Sequence, residues 1–178
     1  MAGIAVATGL RIALGGPSTA ASMPAGVAFA LALLALAAGA GWRLGRPSLA
    51  AAGIGVAGGL VLVAAWLTAR TSAAVDLAPV NTAIAAWTPV VALIAVAEEV
   101  MLRGVLFNAM RNWGGDGWAL AATTVLFAAM HVPLYGVGAL PLDLAVGLLL
   151  GGLRIVSGSV LAPAIAHVLA DIAGGWLL

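Results

Sequence analysis

Ala97-Glu98-Glu99-Val100-Met101-Leu102-Arg103-Gly104 decides how this chain is read. It sets two carboxylates and a guanidinium inside an apolar run from Val90 to Phe107. In hydrocarbon each such group is costly unless it meets a partner or a water-filled cavity. The chain of 178 residues has only seven Arg or Lys and six Asp or Glu, so this cluster marks the point where it does its work. Two later fragments answer it: Phe127-Ala-Ala-Met-His131 and His167-Val-Leu-Ala-Asp171. They hold the two histidines of the protein, both in apolar surroundings.

Composition explains why the surroundings are hydrocarbon. The chain is 64% hydrophobic and 7% charged, with a mean hydropathy of +1.19. A soluble domain carries about 25% charged residues. So few charges cannot cover a globular surface in water. The apolar runs are continuous and rich in Ala, Leu and Gly, without the alternation of a transmembrane barrel. The expected class is all-α: a polytopic transmembrane helical bundle with six to seven segments, one integral membrane domain over residues 1–178. Net charge is +1, which gives no basic field for nucleic acid. Cysteine is absent, so no disulfide, thiol nucleophile or thiolate metal site is available. Met1 to Gly16 lacks a basic first region and contains Arg11, which disfavours a cleaved signal peptide. With 24 glycines, close packing through small residues is expected.

Working outward, Gly3 to Gly15 is too short to span alone and reads as half-spanning or interfacial. Pro24 to Gly41 is the first firm span. A turn with Trp42, Arg43 and Arg46 follows, and Ser48 is placed to cap the second span. Arg70 to Pro79, with Asp76, is a more polar loop. Asn81 to Asn112 is the longest helical candidate, with Pro89 as a kink or restart. The run Trp113-Gly-Gly-Asp116-Gly-Trp118 is a turn. The next helix ends near His131 because Val132 precedes Pro133. Pro141 to Leu153 and a last helix from near Ser159 and Pro163 to Trp176 complete the chain. Asp143 and Asp116 read as loop or helix-start residues. Arginines 43, 46, 111 and 154 fall in loops on one side, which predicts those loops to be cytoplasmic.

That topology gives a depth check. Glu98 lies 13 residues from Arg111, and His131 lies 13 from Trp118. At 1.5 Å per residue both are roughly 20 Å deep. His167 and Asp171 come out at roughly 12 to 18 Å from Ser159. Three helices thus deliver polar groups to one level.

On a helix, Glu99 and Arg103 share a face and can form an internal ion pair. Glu98 points elsewhere and is left to take a proton. A carboxylate in a low-dielectric site beside another carboxylate suits a general base or acid. Glu98 and His131 could deprotonate one water and later protonate a leaving amine. Asp171 could fix the tautomer of His167, which would then donate to a developing oxyanion. The alternatives stay open at this level. The Glu98–Glu99–Arg103 cluster could be a packing device, and His167–Asp171 a satisfied buried pair. His131 could be an interfacial histidine, with Phe127 as packing or a substrate contact. Glu98, His131 and His167 could instead hold zinc with an open position, although no His-Glu-x-x-His motif is present. Ser157 and Ser159 lack the context of a nucleophile.

Together, Glu98-Glu99-x-x-x-Arg103, Phe127-x-x-x-His131 and His167-x-x-x-Asp171 resemble the three motifs of the CPBP group. These are the CAAX-protease and bacteriocin-processing, or Abi, membrane proteins, which include the type II CAAX prenyl endopeptidases. The resemblance covers about 89–178. It implies an intramembrane endopeptidase in which Glu98 and His131 activate water, with His167 and position 171 serving the oxyanion or supporting the site. The third motif often ends in Asn, and here it ends in Asp171. An ionised Asp cannot donate to an oxyanion. The expected protein is therefore a glutamate-type intramembrane protease with no cofactor. It would sit in a bacterial cytoplasmic membrane and act on a membrane-associated or lipidated peptide. A zinc enzyme, a non-catalytic membrane immunity or scaffold protein and, third, a transporter using the carboxylates as a proton relay are the alternatives.

Overall fold

A computed structural model describes residues 2–16, 22–43, 45–72 and 84–176. All the regular structure among them is helical: α1 (Ala2–Gly15), α2 (Met23–Gly39), α3 (Leu49–Ser72), α4 (Ile84–Glu99), a π-helical segment (Val100–Leu106), α5 (Phe107–Tyr135), a 3-10 turn (Val137–Ala139) that leads into α6 (Leu140–Ser157), and α7 (Leu161–Trp176). The expected loop from Arg70 onward lies outside the described residues from Ala73, and with it Asp76 and Asn81.

Local chemistry sets several ends. The hydroxyls of Ser22 and Ser48 accept from the N–H groups of Ala25 and Ala51, each at 3.4 Å, and open α2 and α3. Pro24 stands in the first turn of α2, where its missing N–H costs nothing. Gly158 closes α6 at φ 66°, with its N–H on the Arg154 carbonyl. The Ser159 hydroxyl then accepts from the N–H of Leu161 at the start of α7.

Small residues set the packing. Gly55 and Gly59 on α3 face Ala162 and Ala166 on α7 so closely that a Cβ at Gly55 would lie 2.7 Å from the Ala162 carbonyl oxygen. Gly147 and Gly151 on α6 likewise admit Thr124 and Leu120 of α5. Helices that meet this closely gain dispersion contacts, the main attraction available in lipid.

Among the described residues, two helices, over Leu49–Thr68 and Val137–Ser157, are long and apolar enough to cross a membrane. Only 28% and 22% of their most apolar windows are covered by protein. Their outward faces are therefore bare hydrocarbon, which water would not tolerate over so large an area.

Three segments differ from the sequence reading. The long helix expected over Asn81 to Asn112 runs through Pro89 but widens to a π-helix after Glu99. There the N–H of Phe107 reaches the Leu102 carbonyl, five residues back. The carbonyl of Arg103 is left available, and Arg154 Nε donates to it at 3.0 Å. Arg154 is thus a buried residue in the last turn of α6, not a loop arginine. The third difference is at Pro133, which does not end α5. The helix continues to Tyr135, and the N–H of Gly136 bonds to the Val132 carbonyl. A proline so near a helix end forfeits one hydrogen bond and little else. The turn expected around Trp113–Trp118 is a break at Gly115, with φ 75° and ψ −172°, a conformation open to glycine. Arg111 and Asp116 bridge it at 2.7 Å on the exposed surface.

Candidate active site

Glu99 ends α4, and Arg103 lies in the π-helical turn that follows. Both are 0% exposed. Arg103 Nη1 donates to Glu99 Oε1 at 2.8 Å, and Nη2 donates to the Gly147 carbonyl at 3.1 Å. The guanidinium also lies 5.0 Å over the Phe127 ring. A second donor shares Glu99: His167 Nδ1 stands 3.0 Å from Oε1. A carboxylate oxygen accepts, so Nδ1 carries the proton. Glu99 therefore ties α4, the π segment, α6 and α7 together.

Glu98 faces the other way, as the helical rotation predicts. It lines a cavity of about 690 Å³ with Arg11, Phe127, His131, Asp143, His167 and Asp171. Glu98 Oε2 lies 4.0 Å from His167 Nε2, and Oε1 lies 3.8 Å from Arg11 Nη1. The latter contact replaces the expected unpaired Glu98 with a loosely paired one. Neither separation is a hydrogen bond, so the carboxylate keeps acceptor capacity toward the cavity.

His131 closes on its own helix. Its Nδ1 is 2.8 Å from the Phe127 carbonyl oxygen, an obligate acceptor, so Nδ1–H donates and Nε2 is left to the cavity. Phe127 packs at 4.4 Å from His131 and 5.5 Å from His167, between ring centroids. Tyr135 stacks on His131 at 5.7 Å. Phe127 thus sets the positions of both imidazoles and of Arg103.

Asp171 does not fix the tautomer of His167. Its Oδ2 is 3.6 Å from Nε2, beyond hydrogen-bond range, while Glu99 holds Nδ1. Asp171 instead faces the nitrogen that looks into the cavity.

Two charged residues of the lining escaped the sequence reading. Arg11 was visible only as a cation in an otherwise apolar segment, and nothing local ties α1 to α4. Asp143 stands in the first turn of α6 as expected, yet it is buried and its Oδ2 has no hydrogen-bond partner. Among the described residues, no three or more His, Asp or Glu converge to hold a metal ion. His167 Nδ1 and His131 Nδ1 are committed to protein oxygens, so any metal here would have to use the Nε2 atoms with Glu98.

Comparison with curated proteins and with solved structures gives no match. The family described as Type II CAAX prenyl endopeptidase Rce1-like matches residues 80–173, which is 94 of the 178 and spans every motif above. That family is membrane-embedded and proteolytic, in keeping with the bare apolar helices and with a largely apolar cavity into which a few charged groups open. By this match the chain belongs to the type II CAAX prenyl endopeptidase Rce1-like family of membrane proteases.

Proposed function

We propose that this protein is an intramembrane endopeptidase in which Glu98 and His131 activate a water held in the shared cavity. The observation that carries this reading is the single cavity onto which Glu98, His131 and His167 all open, with Glu99 and Arg103 behind it. Glu98 takes a proton from the water. His131 Nε2, kept as an acceptor by the Nδ1 bond to Phe127, orients the second hydrogen. The water oxygen attacks the scissile carbonyl. His167, as an imidazolium, donates from Nδ1 to Glu99 and from Nε2 toward the oxyanion. Glu98 then gives its proton to the leaving nitrogen. Asp171 acts on His167 and not on the oxyanion.

The substrate that suits an apolar cavity opening within a membrane is a lipidated or hydrophobic peptide, or a membrane-protein segment. Its walls include Leu62, Trp66, Trp87, Val90 and Ile94. The shorter apolar helices complete a bundle of six to seven membrane segments in a bacterial cytoplasmic membrane. No cofactor takes part in this reading. In the runner-up, Glu98, His131 and His167 hold zinc, which would activate the same water as a Lewis acid.

The test is hydrolysis of a quenched fluorescent lipidated peptide in proteoliposomes. Glu98→Gln and His131→Ala should each abolish turnover while leaving peptide binding. Activity that survives EDTA treatment supports the glutamate mechanism, and activity restored only by added zinc supports the runner-up. Full hydrolysis by Glu98→Gln would overturn both. Binding without hydrolysis in the unmodified protein would move the chain to a scaffold role.

A further inference from the structure

The proposed chemistry leaves the cation at the cavity wall unused. Arg11 lies on α1, outside the residues that match the family. Its side chain is 6% exposed and lines the cavity. The guanidinium rests 5.0 Å over the Phe29 ring. Nη1 stands 3.8 Å from Glu98 Oε1, and Nε has no hydrogen-bond partner. Arg103 also keeps an unpartnered Nε, but its Nη1 and Nη2 are spent on Glu99 and Gly147, and it does not reach the cavity wall. Among the described residues lining the cavity, Arg11 is thus the one with a permanent positive charge.

We infer that Arg11 is a further catalytic residue, whose guanidinium binds the oxyanion of the tetrahedral intermediate as negative charge leaves Glu98. This rests on the hydrolysis proposed above. Before attack, the charge sits on the Glu98 carboxylate and Arg11 faces it. During attack the water oxygen bonds to the carbonyl carbon, a water proton passes to Glu98, and the C=O pair moves onto oxygen. Glu98 is now neutral and the substrate oxygen carries the charge. The total charge of the cavity is unchanged, but its position has moved. A guanidinium facing a neutral acid in a low-dielectric wall is poorly compensated. The oxyanion restores a partner to it. On collapse the C–N bond breaks, the C=O bond reforms, and the proton of Glu98 passes to the leaving nitrogen. Glu98 recovers its charge and Arg11 its first partner.

The unfilled geometry of the resting site fits this role. The Nε donor is idle and the Nη1 contact is too long for a hydrogen bond. An interaction weak in the ground state and strong in the transition state accelerates the step, whereas a tight resting salt bridge would oppose it.

The experiment compares Arg11→Gln and Arg11→Lys with the unmodified full chain in proteoliposomes. The expected result is a fall in kcat of about 10²-fold for Arg11→Gln at unchanged KM, with partial recovery in Arg11→Lys. A rise in KM at unchanged kcat would overturn the inference. A second measurement needs no turnover. A hydrophobic peptide phosphinate, a tetrahedral anion, is compared in binding with its uncharged hydroxyethylene counterpart on EDTA-treated protein. The unmodified chain should prefer the phosphinate, and Arg11→Gln should lose that preference. A preference that survives intact sinks the role of Arg11. If Arg11→Gln does not fold, Arg11→Lys decides: a reduced preference supports the inference and an unchanged one overturns it. Failure of the hydrolase reading looks different, since then the unmodified protein would not cleave, or Glu98→Gln would cleave equally well.

Discussion

Glu98 and Glu99 are adjacent in the chain and live in opposite surroundings. Glu99 is 0% exposed, takes Arg103 and His167 on one oxygen, and reaches three other elements through them. Glu98 borders a cavity and has only loose neighbours, Arg11 at 3.8 Å and His167 at 4.0 Å. A single step of helical rotation separates a carboxylate that holds the bundle together from one that is left to react. Acidic residues inside a membrane are costly in both cases. In the first the cost is offset by hydrogen bonds, and in the second the group keeps its capacity for water.

That contrast can be broken by experiment, most severely at Glu98. Glu98→Gln should lower kcat by about 10³-fold or more, with less loss of stability than the same change next door. Thermal unfolding in detergent, run beside the peptide assay, separates the two effects. Glu99→Gln or Arg103→Gln should instead destabilise the fold by about 3–5 kcal/mol, because each strands a buried charge. If Glu99→Gln unfolds at the temperature of the unmodified chain, the network is not structural and the comparison collapses.

A smaller effect is expected at Gly104, in the π-helical turn. A Cβ there would lie 2.5 Å from the indole nitrogen of Trp42. Gly104→Ala should cost about 1–3 kcal/mol by overpacking and should lower activity through the displaced turn. The least effect belongs to the exposed Arg111–Asp116 bridge. Arg111→Ala should change stability by less than about 1 kcal/mol and leave kcat intact. A large effect there would mean that the Gly115 break is held by this pair and not by glycine geometry.

Much of this contrast is legible in the sequence. The i, i+4 spacing of Glu99 and Arg103 requires a shared face, and the structure forms that pair. The sequence also separates Glu98 from it by rotation and brings the motif segments to one depth. Other features were invisible for a physical reason. The π-helical turn depends on where Arg103 and Arg154 find acceptors, Gly147 on α6 and the freed Arg103 carbonyl. The Nδ1 proton of His167 is held by Glu99, 68 residues away, and not by the nearer Asp171.

By itself the sequence determined that the chain is helical and apolar on its outside, and which few polar groups must find partners within it. Hydropathy and helical periodicity are local properties, and they suffice for that. Only the tertiary structure decided who those partners are. Arg11 and Asp143 reach the cavity because α1 and α6 pack where they do. In a low-dielectric interior, every buried charge acts on whatever the fold brings within a few ångströms of it.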